Sequence, residues 1–374
     1  MKQESFEEEK VKKEDTQRFP CANCGGNMVF DPDSQTLSCP YCESKVDVAR
    51  EYGNIKEYDF NSARDSMSQE WGRGKRVIHC ESCGADTVLD DTSIAEFCAF
   101  CGSSHIVRDV SQKGIPPESL IPFKISAKKA REYFSAWIGK RFFAPGELKS
   151  SHHIDKISGV YIPYWTYDSD TYSTYTAEAG TYYYETVREW VVENGKRKQV
   201  TRQVRKIRWR STSGIYSEKF DDVLVNASNK IGDSLMKKIE PFDLSALVHY
   251  KPEFLSGFLA ERYSIGLKEG WEVAKHEIDS EIRQGVINQI NADEVRNLSV
   301  YTKYDNIRYK HILLPVWISS YKYKNKVYRF LVNGQTGKVQ GKSPVSPWKV
   351  MAVVLLAIAA GLAALLLYGY FSGA

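Results

Sequence analysis

The sequence predicts an α+β protein with two N-terminal zinc ribbons, a mixed, aromatic-rich α+β domain with antiparallel strands, and one C-terminal transmembrane helix. Three observations support this class. Eight cysteines form four Cys-x2-Cys pairs before residue 102, tyrosines and threonines alternate through the middle of the chain, and residues 350–371 contain neither a charged residue nor a proline. The 374-residue length is typical of two or three domains. A net charge of +4 is too small by itself to indicate a nucleic-acid-binding protein.

Changes in composition along the chain predict six segments. They are a disordered lead-in (1–18), a first zinc ribbon (19–50), a linker with a short helix (51–75), a second zinc ribbon (76–110), an α+β domain (111–345) and a transmembrane anchor (346–372). The first fifteen residues are charged throughout and have no apolar core, so they do not resemble a signal peptide.

The cysteine pairs form an internal repeat in which each unit places 14 residues between two Cys-x2-Cys pairs. A Zn²⁺ ion binds four thiolates tetrahedrally, and two intervening residues let one tight turn deliver both sulfurs of a pair. A spacer of this length accommodates a short hairpin that returns the second pair. The predicted ligands of two structural Zn²⁺ ions are Cys21, Cys24, Cys39 and Cys42 in the first unit, and Cys80, Cys83, Cys98 and Cys101 in the second.

Two other interpretations of the cysteines compete with zinc. A disulfide framework is typical of small secreted domains, and a thioredoxin-like redox centre uses a single Cys-x-x-Cys. The four equally spaced pairs favour metal binding over both. Thiolates kept for metal also indicate a reducing compartment. His79 and His105 flank the second unit, where four cysteines already complete the site, so neither is expected to be a ligand.

The middle of the chain predicts strands, and residues 194–195 (Asn-Gly) predict a hairpin turn within them. The strand after this turn is strongly basic. It has three interpretations: a solvated arm balanced by acids across the hairpin, a surface for anionic lipid, or a surface for nucleic acid. The residues that would contact an anionic partner are Lys196, Arg197, Lys198, Arg202, Arg205, Lys206, Arg208 and Arg210.

Apolar periodicity predicts two helices in the α+β domain. One follows Ser126, a favourable N-cap residue, and ends near Gly139. The other covers residues 269–291 and carries an apolar stripe suited to packing on a sheet. Residues 314–317 (Leu-Pro-Val-Trp) repeat the pattern of residues 162–165 (Ile-Pro-Tyr-Trp), which indicates two related β-units within one domain.

The C-terminal apolar run is long enough to cross a membrane, since about 20 residues span the hydrocarbon core. Trp348 lies at one end and Tyr368, Tyr370 and Phe371 at the other, as expected at membrane interfaces. Lys338, Lys342 and Lys349 precede the run, which predicts a single-pass protein of the plasma (inner) membrane with its N-terminal body in the cytoplasm. A buried core helix is the main alternative.

The sequence contains no motif that indicates catalysis. It lacks a complete phosphate-binding loop, a Gly-x-Ser-x-Gly elbow and a His-Glu-x2-His pair. A site closed by four thiolates also leaves no position for a catalytic water. We therefore predict that the protein is not an enzyme.

The order of these parts resembles a family of bacterial membrane proteins with a TFIIB-type double zinc ribbon. The resemblance rests on the two cysteine quartets, on residues 314–317 and 328–338, and on the terminal anchor. Members are often labelled helicase- or primosome-like. The resemblance implies a non-enzymatic membrane component linked to envelope stress, whose relatives recruit an SPFH-type scaffold protein and a phage-shock protein A homologue. The expected function is thus a tail-anchored adaptor for cytoplasmic proteins; the alternative is a membrane-tethered nucleic-acid-binding protein that uses the ribbons and residues 196–210.

Overall fold

The computed structural model describes residues 19–53, 55–63, 76–80, 85–89, 98–100, 106–109, 114–146, 157–193, 196–323 and 326–372. Within them lie four α-helices: α1 (Ala127–Gly139), α2 (Asp233–Ile239), α3 (Leu267–Ile290) and α4 (Pro347–Ser372). The strands are β1 (Val29–Asp31), β2 (Thr36–Ser38), β3 (Lys45–Asp47), β4 (Tyr58–Asp59), β5 (Arg76–Cys80), β6 (Asp86–Leu89), β7 (Ile106–Asp109), β8 (Ser119–Leu120), β9 (Ser158–Glu193), β10 (Lys196–Asn226), β11 (Val248–His249), β12 (Leu259–Glu261), β13 (Glu294–Tyr323), β14 (Lys326–Asn333) and β15 (Val339–Gly341).

The strands form one small and one large sheet. Strands β1, β2 and β3 form an antiparallel three-stranded sheet, whereas the large sheet has twelve strands and follows the order β11-β8-β13-β9-β12-β6-β5-β7, with β10, β14, β15 and β4 on side branches. The predicted mixed α+β class with antiparallel strands is confirmed. The predicted hairpin turn at residues 194–195 lies outside the described residues.

Two βαββ units form the centre of the large sheet. Unit A contains β8, α1, β9 and β10, and unit B contains β12, α3, β13 and β14. Strand β8 is parallel to β13 and β12 is parallel to β9, while β9 and β13 are antiparallel to each other. The directions of these four strands are therefore those expected if unit A and unit B are related by a twofold axis. The two similar Pro-Trp stretches pair with each other, with Pro163 opposite Leu313.

Matched hydrogen bonds show how similar the two units are. The carbonyl of Pro163 accepts the Ala227 N–H at 3.0 Å, and that of Pro315 accepts the Gly334 N–H at 2.8 Å. These acceptors occupy the same place in the two Pro-Trp stretches. The two donors, Ala227 and Gly334, each directly follow the same Leu-Val-Asn sequence, at residues 224–226 and 331–333. The structure thus supports the interpretation of two related β-units.

The two units also hold each other's helices. The Trp165 indole N–H of unit A donates to the Ile265 carbonyl at 2.9 Å, and Ile265 lies two residues before α3. The Trp317 indole N–H of unit B donates to the Ile125 carbonyl at 2.8 Å, and Ile125 lies two residues before α1. Each tryptophan therefore fixes the start of the helix in the other unit.

The helices pack as their apolar patterns predict. The stripe on α3 is buried against the sheet and includes Trp271, Ala274, Ile278, Ile282 and Val286, and its neighbours on the strands include Trp165 and Tyr309. On α1, Ala130, Phe134 and Ile138 are buried. Ser126 stands at the N-cap of α1 but makes no capping hydrogen bond through its side chain.

The C-terminal helix α4 differs from the others because its apolar span is not buried against the rest of the described structure. Within the described part of the chain, residues Pro347–Leu365 form the one helix long and apolar enough to cross a membrane, with a mean hydropathy of 2.2 and none of it buried. An apolar helix with this length and exposure is a candidate membrane span, as the composition predicts.

Candidate metal centre

Two matching turns present the first four cysteines. In the first turn, the Cys21 N–H donates to the Gly26 carbonyl at 2.7 Å and the Gly25 N–H donates back to Cys21 at 2.8 Å. In the second, the Cys39 N–H donates to the Ser44 carbonyl at 2.9 Å and the Glu43 N–H donates back to Cys39 at 3.0 Å. Each turn folds a Cys-x2-Cys pair tightly enough for both sulfurs to point to one side.

Each turn needs one residue with a left-handed backbone. Gly25 supplies it in the first turn with φ of +73°, which glycine adopts without steric cost. Glu43 takes the same role in the second turn with φ of +60°, although it carries a side chain. The sequence signal of a glycine after the second cysteine therefore identifies only one of the two turns.

The four sulfurs converge to a separation that suits a metal ion. Cys21 Sγ lies 3.4 Å from Cys42 Sγ, and Cys24 Sγ lies 3.5 Å from Cys39 Sγ. All four sulfurs lie within 4.8 Å of one another. Four thiolates at about 2.3 Å around a tetrahedral ion would be separated by about 3.8 Å. The four cysteines could thus hold a metal ion after sulfur shifts of a few tenths of an ångström.

The electrostatics of the cluster favour a bound cation. Hydrogen bonds from the hydroxyl and backbone N–H of Ser44 lower the pKa of Cys42 to about 6. The Gly26 N–H lowers the pKa of Cys24, but hydrogen bonds with the Cys42 and Cys39 sulfurs outweigh it and raise this pKa to about 12. The neighbouring sulfurs therefore disfavour deprotonation of all four thiols, and a bound divalent cation would stabilise the four thiolates.

The first cysteine unit is attached firmly to the body of the protein. The Phe30 N–H donates to the Ser256 carbonyl at 3.0 Å, and the Ser256 hydroxyl donates to the Met28 carbonyl at 2.7 Å. The Gln35 side-chain amide donates to the Phe123 carbonyl at 2.6 Å. Cys21 and Cys39 are themselves buried in a core shared with Phe123. A metal bound here would therefore stabilise part of the main core.

The second cysteine unit shows one corresponding hydrogen bond. The Cys80 N–H donates to the Ala85 carbonyl at 2.9 Å, which matches the bond from Cys21 to Gly26. Cys80 and Cys98 are both buried in the core on the opposite face of the central strands. Cys83 and Cys101, and with them the completed quartet, lie outside the described residues. His79 bonds Asp86 at 2.6 Å through its Nδ1, and His105 is not among the described residues.

The predicted basic arm lies at the outer end of the β9–β10 hairpin. Strand β13 pairs with β9 as far as Gly180, so residues 181–193 and 196–208 form a ribbon in which β9 and β10 pair only with each other. We call this segment the outer ribbon. Acids across the hairpin neutralise part of it, since Lys206 contacts Glu185 and Arg202 lies 4.0 Å from Glu189. This agrees in part with the interpretation of a balanced, solvated arm.

Strand alternation separates the outer ribbon into two different faces. One face carries both acids named above together with Lys198, Arg202, Lys206 and Arg208. The other, which we call the aromatic face, carries no acidic residue within the ribbon. Its residues are Tyr182, Tyr184, Thr186, Arg188, Trp190, Val192, Arg197, Gln199, Thr201, Gln203, Arg205 and Ile207. Only Arg197 and Arg205 of the eight predicted basic residues lie on this face, and Arg188 was missed.

Rings on the aromatic face are accessible. Tyr184 is 65% exposed and Trp190 is 68% exposed. The Arg205 guanidinium lies 4.3 Å from the centre of the Tyr182 ring. Exposed rings beside arginine side chains form a surface that can stack and attract anions at once.

A second group of charged residues was not predicted from the sequence. Glu57, Asp168 and Asp221 place carboxylate oxygens within 4.8 Å of one another. Lys310, only 7% exposed, lies 3.2 Å from Glu57 and 2.6 Å from Asp222. Desolvation raises the pKa of Asp168 to about 6. The buried lysine compensates much of this negative charge, so we interpret the group as an ion-pair network.

This network arises where a bulge interrupts the pairing of β9 with β10, between Phe220 and Val223. Asp222 adopts a left-handed backbone there with φ of 54°, and its N–H donates to Asp168 at 2.7 Å. The members come from four distant parts of the chain, so no local pattern could have indicated them.

Glu261 is a further buried acid outside the cysteine units. It is completely buried on β12, where the Ser228 hydroxyl donates to one of its oxygens at 2.6 Å. Burial raises the pKa of Glu261 to about 8. The carboxyl group is therefore mostly protonated at neutral pH.

Comparisons with known proteins give one informative similarity. The chain is 29% identical over 337 residues to a Bacillus subtilis (strain 168) protein, YdjG, described as uncharacterised; the similarity covers 89% of this chain and 92% of YdjG. No family model and no solved structure matches the chain. The chain is thus similar over nearly its whole length to a bacterial protein whose description states no function.

Proposed function

We propose that the protein is a non-enzymatic adaptor, anchored in the plasma (inner) membrane by α4, that presents two structural zinc ribbons to cytoplasmic protein partners. The observation that carries this proposal is the convergence of four cysteine sulfurs in a unit that belongs to the same chain as an apolar helix with none of its candidate span buried. Four thiolate ligands suit Zn²⁺ and leave no open coordination position, so the metal would supply rigidity, not chemistry.

The zinc content provides the first test. The purified full chain is expected to contain two zinc ions, measured by elemental analysis. Cys39→Ser and Cys98→Ser, one in each unit, should each reduce this number to one. Tyr301→Ser changes an exposed residue on β13 and serves as the control with two ions. Two ions retained in either cysteine variant would contradict the assignment of that unit.

Partner recruitment provides the second test. Affinity capture of the full chain in mild detergent should return the same cytoplasmic proteins in repeated preparations from native membranes. By resemblance, an SPFH-type scaffold protein and a phage-shock protein A-like protein are the expected partners in an envelope-stress system. These proteins should be lost from Cys39→Ser but kept by the Tyr301→Ser control. If no protein copurifies, or if the captured set is unchanged without zinc, the adaptor role is wrong.

The aromatic face of the outer ribbon favours a second candidate function, nucleic-acid binding by the membrane-tethered chain. Rings that stack on bases, next to cations that contact phosphates, give sequence-tolerant and salt-dependent binding. The triple variant Arg188→Ser/Arg197→Ser/Arg205→Ser should then weaken binding of single-stranded DNA at least tenfold at low salt. A triple variant of the opposite face, Lys198→Ser/Arg202→Ser/Lys206→Ser, should weaken it less. No binding by the native chain at low salt would exclude this candidate.

A further inference from the structure

The loop that follows α1 meets the start of α4. Residues 140–146 run beside Ser346 and Lys349, and three hydrogen bonds join the two segments. The Ser346 N–H donates to the Phe143 carbonyl at 2.8 Å. The Lys349 ammonium group donates to the Ala144 carbonyl at 2.7 Å and to the Phe142 carbonyl at 3.2 Å. The loop is therefore attached to the first turn of the candidate membrane span.

The same loop exposes two adjacent phenylalanines. Phe142 is 66% exposed and Phe143 is 40% exposed, and their rings contact edge to face at 5.3 Å between centroids. The body of the protein holds the loop in place, because Ala144 is buried with Phe134 and Ile138 of α1. Two exposed rings on a well-supported loop are costly in water, which indicates that another surface covers them.

The position of the loop along the axis of α4 indicates which surface covers the two phenylalanines. The uncharged run of α4 begins at Val350, directly after Trp348 and Lys349. A tryptophan and a lysine at this place mark the membrane–water interface. Since Lys349 bonds the loop carbonyls, Phe142 and Phe143 belong to a segment beside the first turn of α4, which carries Trp348, itself 73% exposed.

Charge near the loop fits the same surface. Lys140 and Arg141 are exposed beside the phenylalanines, and residues 137–146 include no acid. Residues 341–374 also include none. A basic and aromatic surface of this kind is attracted to anionic phospholipid headgroups, and its rings enter the region just below them.

We propose that residues 140–146 form a second membrane contact, in which Phe142 and Phe143 enter the interfacial layer of an anionic phospholipid bilayer beside Trp348. This proposal rests on the proposed membrane anchorage of α4. A single helix leaves the body free to tilt about its point of attachment, whereas two contacts fix which side of the body faces the lipid. The loop thus sets the orientation in which the cysteine units and the outer ribbon are presented.

Photolabelling by lipid tests the proposal with the full chain. The protein is reconstituted in vesicles of phosphatidylcholine and phosphatidylglycerol containing a phospholipid with a diazirine either near the headgroup or at the end of its acyl chain. After irradiation, labelled peptides are mapped by mass spectrometry. Both probes should label α4. The shallow probe should label residues 140–146 at least fivefold more than the deep probe does.

A matched variant examines the role of the rings. Phe142→Ser/Phe143→Ser changes two exposed side chains, so zinc content and α4 labelling should be unchanged. Labelling of the remaining residues of the loop by the shallow probe should fall at least threefold. Undiminished labelling in this variant would show that the rings do not hold the loop in the lipid interface, and would overturn the proposal.

The possible failures are distinguishable. If α4 is labelled but the native loop is not, a protein or solvent covers the phenylalanines, and the second contact is wrong while the anchor stands. If neither probe labels α4, the membrane anchorage is itself wrong, and the second contact is rejected with it.

Discussion

Units A and B share an interlocked core but differ at their edges. In unit A, α1 has 13 residues and is followed by residues 140–157, whereas in unit B, α3 has 24 residues and only residues 291–293 separate it from β13. The unit A hairpin extends into the outer ribbon, whereas β14 of unit B has only eight residues. The shared core thus specifies the fold, and the extensions of unit A supply the surfaces that we assign to lipid and to anionic partners.

The cores also differ at one buried position. Aligning the units at Ile125 and Ile265 places Ile121 of unit A opposite Glu261 of unit B. Both side chains are completely buried. An apolar side chain fills this position in one unit, while an acid held by Ser228 fills it in the other. Corresponding buried positions of the two units therefore carry side chains of very different polarity.

The largest expected effect comes from the reciprocal tryptophans. Trp165→Ala and Trp317→Ala should each lower the free energy of unfolding by about 3–5 kcal/mol, because each removes a buried ring and one hydrogen bond to the other unit. Urea denaturation of the detergent-solubilised chain, followed by far-ultraviolet circular dichroism, measures this change. Losses that differ by more than about 2 kcal/mol would show that the units do not contribute equally.

Glu261 should make stability depend on pH. Its pKa is raised by burial to about 8, above the ordinary value of 4.5, so the folded state binds the proton more tightly than the unfolded state. This contribution is fully present below pH 4.5 and is lost as pH rises through 8. Glu261→Gln, which cannot ionise, should match the native chain near pH 4 and exceed it at pH 9 by on the order of 5 kcal/mol.

The absence of that difference at pH 9 would contradict the buried acid as described. Ser119→Ala supplies a control in unit A, because Ser119 is buried on β8 and does not ionise between pH 4 and pH 9. Its effect on the free energy of unfolding should be independent of pH over the same range.

The paired asparagines are expected to have intermediate effects. Asn226 Oδ1 accepts the Ser228 N–H at 3.1 Å, and Asn333 Oδ1 accepts the Gln335 N–H at 2.9 Å. Replacing either by alanine should cost about 1–3 kcal/mol through buried groups left without partners. Asn333→Ala should cost more, since Asn333 Oδ1 also accepts the Thr336 N–H at 2.9 Å and its amide donates to the Ile239 carbonyl at 3.0 Å, whereas both of these Asn226 bonds are made to Ser228. The reverse order, measured by the same denaturation, would contradict this explanation.

The smallest effects should come from the outer ribbon. Tyr184→Ser and Trp190→Ser remove exposed rings that support no core, so each should change the free energy of unfolding by no more than about 0.5 kcal/mol. A loss above about 1 kcal/mol would mean that the ribbon is part of the cooperative core. The same variants would then be unsuitable for testing binding alone.

Patterns that repeat locally were predictable from the sequence. The apolar stripe of α3, the composition of α4 and the spacing of the first four cysteines each depend on residues a few positions apart, and the structure agrees with each of them. The repeated Pro-Trp stretches also gave a correct indication of two related units. The zinc identity, the second quartet, the membrane location and the domain boundaries stay predictions.

Features that depend on distant residues were not predictable. The exchange of hydrogen bonds by Trp165 and Trp317 joins residues 100 and 192 positions apart. The Glu57–Lys310 contact spans 253 positions, and the other partner of Lys310, Asp222, lies at the bulge in β10. Alternation along β10 could have separated the basic residues into two faces. Without the register of β9 against β10, however, the sequence could not show which face carries Glu185 and Glu189.

The length of the outer ribbon has a kinetic consequence. Its 13 paired residues per strand extend about 43 Å beyond the last pairing of β9 with β13, at about 3.3 Å per residue. Electrostatic screening in the cell acts over only about 8 Å, so a charged molecule near the tip is influenced by the tip alone. Because the rate of diffusional encounter rises with the radius of the target, the ribbon would widen the capture radius of the chain for the anionic partner proposed above.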